Sequence, residues 1–392
     1  MTSIAIGLLC FALVIFSVGA ASALFLNLLS LASQTFFAHD ELILALPVLG
    51  LITGIAYSYF DEKIHSTQRI VHQAHEPTHP VPSINGVLIF CFTILSHLFG
   101  ASVGRESTAV QFAVAIGDSF QSLLQKLFPN AQFDRQRIVR SALAAGFGAI
   151  FGVPWAGAIF ALEVTPHRRW PFQFLPWCLV SSFGANAVAK FLGASHVQYP
   201  AFGNLRFTPM LLLKWVCLGA LFGITAKVFL ILFHSLEKYF FRAFFKKWLS
   251  PFVGACLVAA ATLLMHDTRY NGLGLQLIRN AMEGPVPALD FIWKSLFTVV
   301  SSASGLKGGE VTPLMAIGAS LGAAAAGWMT LPAVYAASLG LVAVFAASAH
   351  IPWTGAIMAW ELFGFEAFLP AFIICWIARR FVGLRSLMGI NE

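Results

Sequence analysis

The 392-residue chain is strongly apolar, because 58% of its residues are hydrophobic and only 10% are Asp, Glu, Lys or Arg. Soluble domains carry about 25% charged residues, so the composition excludes a soluble protein, a disordered chain and a disulfide-stapled secreted domain. The charges are also unevenly placed: the first is Asp40, and none occurs from 311 to 360. The sequence therefore predicts a polytopic membrane protein.

Apolar segments approaching the ~20 residues of a membrane helix follow one another along the chain. In chain order we predict them at 3–36, 41–60, 84–103, 107–125, 138–163, 171–192, 208–235, 250–265, 287–305, 311–328, 332–348, 351–364 and 367–378. Several are short or contain Gly and Pro, which predicts broken and re-entrant helices. The six cysteines lie in apolar context without a CxxC pair, which indicates small core residues.

The net charge of +7 is concentrated in short connections between the apolar segments. Lys and Arg in short loops orient those loops toward the cytoplasm. No basic domain stands outside the apolar segments, so we expect a lipid-bilayer setting and no nucleic-acid partner. We also expect no cofactor and no metal.

An internal repeat organises the chain. Residues 153–163 read VPWAGAIFALE and residues 351–361 read IPWTGAIMAWE, with seven of the eleven positions identical. Upstream, GREST at 104–108 aligns with GGEVT at 308–312. Paired interrupted segments are typical of repeat-built transporters, so we predict one transmembrane domain over 1–392 with approximate repeats at 40–200 and 208–390. The letters alone leave open whether the repeat is inverted or parallel. Because 31 residues follow Glu361, we expect no C-terminal regulatory domain.

Two acids, Glu106 and Glu310, lie in corresponding Gly-rich segments just before long helical runs. An ionised carboxylate inside a membrane costs about 2.5–3.5 kcal/mol and marks a functional site by default. Burial favours the neutral acid, whereas a helix N-terminus favours the carboxylate, so such an acid can cycle between both forms. The structural alternative is a helix cap or an ion pair, for instance between Glu106 and its neighbour Arg105.

Helix starts rich in Gly and hydroxyl residues also attract anions. Two such starts, each with a carboxylate, suggest a pathway in which an anion and a carboxylate compete for one site, which would permit proton–anion exchange. Two weaker patterns remain. The segments 100–104 and 318–322 match G-x-S-x-G, but without a predicted strand an intramembrane hydrolase is an outside alternative. A His-rich segment at 65–79 lacks a recognised metal-binding spacing, which favours a polar loop.

The segment Gly104-Arg105-Glu106, followed by Thr108-Ala-Val110-Gln111, resembles the GREGPxVQ signature of CLC chloride channels and proton-coupled antiporters. PWAGAIFALE at 154–163, GGEVTP at 308–313 and the segment 351–364 are similar, in the same order, to the family's later elements. The resemblance implies an all-α CLC-type integral membrane fold of two inverted structural repeats with broken and re-entrant helices. It also implies a homodimer with one pathway per subunit.

Departures from the chloride-transporting members point to the bacterial fluoride/proton antiporter branch. GGEVTP is similar to that branch in placing an acid at Glu310 and Val311 where an aromatic residue is usual. Glu163 is followed by Val164, so the second acid that serves as the intracellular proton acceptor in chloride antiporters is absent. No tyrosine follows Tyr335, and Met388 stands near the place of the family's C-terminal tyrosine. The GSGIP loop, which coordinates chloride in those members, is also missing from this sequence.

The resemblance therefore implies a proton-coupled fluoride exporter that confers fluoride resistance, a secondary active transporter rather than an enzyme, in the bacterial cytoplasmic (inner) membrane. Its substrates would be fluoride and protons, with Glu106 as the gating and proton-carrying acid and Glu310 as a second relay acid. The alternative is a chloride/proton antiporter or a passive anion channel. The predicted anion-binding positions are Gly104, Arg105, Ser107, Val311, Thr312, Ser66, Thr67, Gln68 and Met388.

Overall fold

The computed structural model describes residues 3–60, 66–76, 79–130, 133–164, 170–203, 205–243, 248–383 and 386–387. Within these residues the fold is all-α, as predicted. The helices are α1 (Ser3–Ala38), α2 (Leu46–Tyr59), α3 (Thr67–His72), α4 (Ser83–Leu98), α5 (Glu106–Leu127), α6 (Arg135–Phe151), α7 (Pro154–Glu163), α8 (Leu175–Phe191), α9 (Pro209–Ala243), α10 (Leu249–Met265), α11 (Leu275–Glu283), α12 (Asp290–Ala303), α13 (Val311–Trp328), α14 (Ala333–Ala349), α15 (Pro352–Phe363) and α16 (Phe368–Val382).

Four helical stretches of the described chain are long and apolar enough to cross a membrane. They are Ala5–Ala38, Asp40–Tyr59, Pro209–Ala243 and Val311–Trp328. The second consists of a 3₁₀ turn at Asp40–Ala45 followed directly by α2. Shorter apolar helices, α4, α10 and α14, supplement them. Mixed helix lengths of this kind agree with the predicted broken helices of a membrane protein.

The chain divides into two compact units, the first formed by residues 1–30, 60–91 and 106–197. In this unit α6 packs against α5, α7 and α8. A cluster of aromatic rings joins Phe25, Phe90 and Phe112, with centroids 5.1–5.8 Å apart. Buried Arg140 donates from Nη1 to the Ala161 carbonyl at 2.9 Å, near the C-terminus of α7. A cation there complements the negative end of the helix dipole.

The second unit comprises residues 31–59, 92–105 and 198–392. Here α13 packs closely against α14, while α16 contacts α9, α14 and α15, and α2 contacts α10. Small residues allow the close approach of α13 and α14, because the Gly318 backbone lies directly against the Gly340 backbone. Such small-residue contacts are typical of helix pairs in membranes.

The helices α5–α8 of the first unit have the same order as α13–α16 of the second. In each series the second helix ends on a left-handed residue, Gly152 (φ 74°) or His350 (φ 61°). The third helix then begins with proline at its first turn, and its N-cap residues, Val153 and Ile351, have nearly the same φ, −121° and −120°. The motif similarity seen in the letters therefore corresponds to a shared local conformation.

Two of the predicted segments have wrong boundaries, and two short helices were missed. The segment 138–163 is two helices, α6 and α7, because the left-handed Gly152 ends the first. The segment 84–103 stops being helical at Leu98. Two short helices, α3 and α11, were not predicted, since both carry charged or polar residues among their apolar ones. The cysteines are only partly core residues: Cys10, Cys178 and Cys375 are buried, whereas Cys91 and Cys217 are exposed.

Candidate functional site

The first predicted acid, Glu106, is the first residue of α5 and is only 2% exposed. The seven residues before it, which we call the α4–α5 connection (residues 99–105), are not helical. Near the start of the connection, Gly100 has a φ of +79°, and a Cβ at this position would meet the Phe36 ring. Glycine is therefore required there, and it turns the chain out of α4.

The second predicted acid, Glu310, is the N-cap residue of α13 and is half-buried. It ends a second non-helical segment, the α12–α13 connection (residues 304–310). The Glu310 side chain forms no capping hydrogen bond to the first turn of α13. The simple helix-cap alternative for this acid is therefore not what the structure shows.

The two connections pair with each other through their backbones. Gly104 and Gly309 form an antiparallel bridge, in which Gly309 N donates to Gly104 O at 2.9 Å and Gly104 N donates to Gly309 O. A side chain on Gly308 would meet Val103, so glycine permits this approach. The paired residues are close to the two acids along the chain, because Gly104 lies two residues before Glu106 and Gly309 lies directly before Glu310. Non-helical backbone at membrane depth requires such satisfaction by protein.

A lysine that sequence reasoning did not single out lies beside Glu310. Lys307, in the α12–α13 connection, places its ammonium 3.9 Å from the centroid of the Tyr57 ring on α2. It is also attracted electrostatically to Glu310, three residues later. A cation over an aromatic face is stabilised by the ring quadrupole. The sequence feature that could have identified Lys307 is its position three residues before Glu310 in a Gly-rich segment.

The predicted anion-binding residues at the helix starts are buried. Around the start of α5, Gly104 and Arg105 end the connection, and Ser107 is 3% exposed in the first turn. At the start of α13, Val311 and Thr312 are each 2% exposed. The N-terminus of a long helix has a positive end that favours negative charge. Both starts therefore have the electrostatic character that the anion hypothesis requires.

The remaining predicted positions are less uniform. Ser66 is exposed and caps α3, because its Oγ accepts from Arg69 N at 3.3 Å. Thr67 Oγ1 accepts from Gln111 Nε2 at 2.9 Å, which ties it to α5. Gln68 is exposed. Met388 lies outside the described residues.

Gln111 is central to that part of the first unit. Besides its bond to Thr67, its Oε1 accepts from Asn85 Nδ2 on α4 at 3.2 Å. It belongs to the VQ pair that follows the GRE segment, and it lies on the buried face of α5. The amide therefore joins α3, α4 and α5, five residues along the chain from Glu106.

The two G-x-S-x-G matches do not form nucleophile elbows. Ser320 lies inside α13, and Ser102 lies in the α4–α5 connection, where Lys294 Nζ donates to its Oγ at 2.9 Å. Neither has the strand–turn–helix setting that the motif requires. In the part of the chain that the structure describes, no group of three His, Cys, Asp or Glu residues is placed to hold a metal ion. His65 of the His-rich segment lies outside that part.

An apolar helical fold with paired interruptions, each followed by an acid at a helix start, defines a membrane protein of the ion-transport class. The sequence profile described as "Voltage gated chloride channel" matches residues 49–383. The chain therefore belongs to the voltage-gated chloride channel (CLC) family.

Individual relatives differ in their named substrates. A "Chloride/fluoride channel protein" of Pseudomonas syringae pv. tomato is 37% identical over 364 residues, covering 91% of this chain and 80% of the relative. An "H(+)/Cl(-) exchange transporter ClcA" of Vibrio cholerae is 27% identical over 284 residues, covering 67% of this chain and 58% of the relative.

Solved structures match the fold over nearly the whole chain. A CLC-type fluoride/proton antiporter has a TM-score of 0.91 at 27% identity and covers 99% of this chain and 98% of its own. A slow cyanobacterial Cl⁻/H⁺ antiporter has a TM-score of 0.81 at 17% identity, with 96% and 94% covered. The CLC-type fold is thereby confirmed.

Proposed function

We propose that this protein exports fluoride in exchange for protons and so confers fluoride resistance. The observation that carries the proposal is the GGEVTP segment: Glu310 stands directly before α13, Thr312 is buried in its first turn, and Gly309 pairs with Gly104 near Glu106. The similarity to a solved CLC-type fluoride/proton antiporter supports the same choice.

The chemistry of fluoride fits these residues. Fluoride is small and strongly hydrated, so a pathway must replace its water with closely spaced hydrogen-bond donors. The first turns of α5 and α13 direct backbone N–H groups and positive dipole ends toward an anion. The hydroxyls of Ser107 and Thr312 lie in those turns and are almost fully buried. Donors and dipoles of this kind stabilise a dehydrated anion most strongly where water is excluded.

In this proposal Glu106 is the gating acid. As a carboxylate it occupies the position an anion would take at the start of α5, and as a neutral acid it releases that position. Glu310 is a second relay acid, which substitutes for the intracellular acid absent after Glu163. Val311 and Thr312 shape the pathway near Glu310, and Gly104, Arg105, Ser66, Thr67, Gln68 and Met388 are assigned to anion binding.

Flux measurements on purified protein in liposomes test the proposal. Fluoride and chloride electrodes record anion efflux, and a pH probe records proton movement in the opposite direction. We expect fluoride to move far faster than chloride, with protons counter-transported. Equal chloride and fluoride rates would refute the specificity, and fluoride efflux without a pH change would refute the coupling.

The second candidate is a passive anion channel or a chloride/proton antiporter. It is favoured by the relatives named as a chloride/fluoride channel and as a proton/chloride exchanger. The same liposomes distinguish it, because a channel dissipates a fluoride gradient without building a pH gradient. A chloride/proton antiporter would instead couple chloride to protons.

The role of Glu106 is tested by Glu106→Gln, which keeps the size of the side chain but cannot alternate between a carboxylate and a neutral acid. We expect coupled exchange to be abolished or uncoupled. The control is Glu41→Gln, since Glu41 is exposed and its carboxylate lies 3.3 Å from Nδ1 of neighbouring His39. Coupled exchange that survives Glu106→Gln unchanged would remove Glu106 from its assigned role.

We further propose that the protein is a homodimer with one pathway per subunit in the bacterial cytoplasmic membrane. Support comes from the family membership and from the bacterial relatives. Light scattering of the detergent-solubilised protein measures the mass of the protein component. A protein mass of one chain, 42.5 kDa, would contradict the dimer.

A further inference from the structure

A buried cation, Lys294, lies in the second turn of α12 and has no part in the proposed transport roles. Its side chain is 0% exposed. The ammonium donates to three acceptors: Gly272 O at 2.7 Å, Ser102 Oγ at 2.9 Å and Tyr270 O at 3.0 Å. No ion pair joins Lys294 to an acid among the residues that the structure describes. Its positive charge is therefore held by neutral oxygen atoms.

Three polar side chains one or two turns apart on α12, which we call the α12 polar stripe (Lys294, Thr298 and Ser301), all meet the same residue. Ser102 Oγ accepts from Lys294 and lies 3.0 Å from Thr298 Oγ1. Ser102 N donates to Ser301 Oγ at 3.1 Å. The spacing i, i+4, i+7 puts the stripe on one helix face. Both the backbone and the side chain of Ser102 are thus held by α12.

The loop at 270–272, whose carbonyls accept from Lys294, also forms hydrogen bonds to the start of the α4–α5 connection. Asn271 Nδ2 donates to Gly100 O at 2.7 Å, and Gly272 N donates to Ala101 O at 3.1 Å. Lys294 therefore links α12 to the 270–272 loop, and both of these elements form hydrogen bonds to the connection. The connection ends at Arg105, the residue before Glu106.

We propose that Lys294 is a positioning residue for proton–fluoride coupling: through Ser102 it holds the α4–α5 connection in the conformation that places Glu106 at its gating position. The inference rests on the proposed function, because it assigns a residue to the same exchange. The Lys294 side chain does not contact the anion in this scheme and acts through Ser102.

A positioning role explains why a lysine stands at this place. A fully buried charge is costly, and an apolar residue of similar volume packs well in such an environment. Charged residues within membrane segments therefore mark functional places by default. A hydrogen bond to a charged group is also stronger than a neutral one, so the ammonium restrains a glycine-rich connection more firmly than a hydroxyl would.

The test is the proton-to-fluoride ratio of liposome flux for Lys294→Met and Ser102→Ala. Lys294→Met removes the cation, whereas Ser102→Ala keeps the cation and removes its link to the connection. Because a buried hydrogen bond to a charged group shifts an equilibrium by about tenfold or more, we expect the ratio to fall at least about twofold in both, as fluoride leaks past a loosened gate.

The ratio distinguishes positioning from a merely structural role. Misfolded protein lowers both fluxes in proportion and leaves the ratio unchanged, whereas a displaced gate changes the ratio itself. The matched control is Lys214→Met on α9, which removes a lysine whose Nζ donates to Thr330 Oγ1 at 2.8 Å, and which should keep the ratio of the unaltered protein.

Each outcome decides the question. A lower ratio in Ser102→Ala supports the inference even if Lys294→Met does not fold, and an unchanged ratio in Ser102→Ala overturns it. Lys294→Met, when folded, must change in the same direction, and an unchanged ratio there also overturns it. If the unaltered protein moves no protons with fluoride, the proposed function fails and the inference with it. Coupling in the unaltered protein with unchanged ratios in both variants refutes the inference alone.

Discussion

The close contact between α13 and α14 makes a quantitative prediction for Gly318→Ala. A Cβ at Gly318 would lie 2.6 Å from the carbonyl carbon of Gly340, and closer still to its oxygen. Ordinary carbon–carbon contacts are about 3.5–4.0 Å. The two helices must therefore separate by about 1 Å, because the obstacle is backbone and cannot rotate away.

The expected cost follows from that displacement. Overpacking a close-packed interior costs typically about 1–3 kcal/mol, and a clash with backbone belongs at or above the upper end of this range. Gly318→Ala should therefore lower the free energy of unfolding by about 3 kcal/mol. Since α13 begins directly after Glu310, the shift should also lower the rate of fluoride exchange.

A matched control lies on the same helix. A Cβ at Gly327, in the last turn of α13, meets nothing within 4 Å. Gly327→Ala should leave stability unchanged or raise it by up to about 1 kcal/mol, because alanine is the better helix former. Thermal unfolding in detergent, followed by size-exclusion chromatography, measures both variants. Equal melting temperatures for Gly318→Ala and the unaltered protein would refute the reasoning.

Three further predictions concern the first unit. Asp118→Asn should destabilise it by about 3 kcal/mol in thermal unfolding, because the buried carboxylate loses its bidentate pair with Arg135 at 2.9 Å. The control Asp134→Asn, which alters the exposed pair with Arg137, should cost under about 1 kcal/mol. Gln111→Leu removes the hydrogen bonds that join α5 to α3 and α4, and it should raise the half-saturating fluoride concentration in liposome flux; an unchanged value would separate α3 from the anion pathway. Gly152→Ala forces a side chain to φ 74° and should cost at least about 1 kcal/mol of unfolding free energy, and equal stability would contradict the strain.

Local patterns predicted most of the helical architecture correctly. Apolar length located α1, α9, α13 and most other membrane helices, and the predicted segment 351–364 corresponds to α15. Gly-rich segments before Glu106 and Glu310 predicted that both acids stand at helix starts, which the structure shows. These properties depend on neighbouring residues, so a sequence displays them directly.

Other features escaped prediction because they depend on several competing local effects. The end of α6 at Gly152 was hidden inside a continuous apolar run, since hydrophobicity does not report a left-handed backbone. The amphipathic α11 was missed because its charges conceal it in a search for apolar segments. The capping bond of the Ser66 hydroxyl was not predicted either, because the short helix α3 that it caps was missed.

The sequence by itself determined the membrane class, the paired helix series and the two acids at the starts of α5 and α13, because hydrophobic length and helix-start signals are local. Only the tertiary structure decided what holds the α4–α5 connection. Ser102 meets Lys294, Thr298 and Ser301 across 192 to 199 residues of chain, and Gly104 pairs with Gly309. Hydrogen-bond partners so far apart come together only when helices pack, and no local pattern specifies that packing.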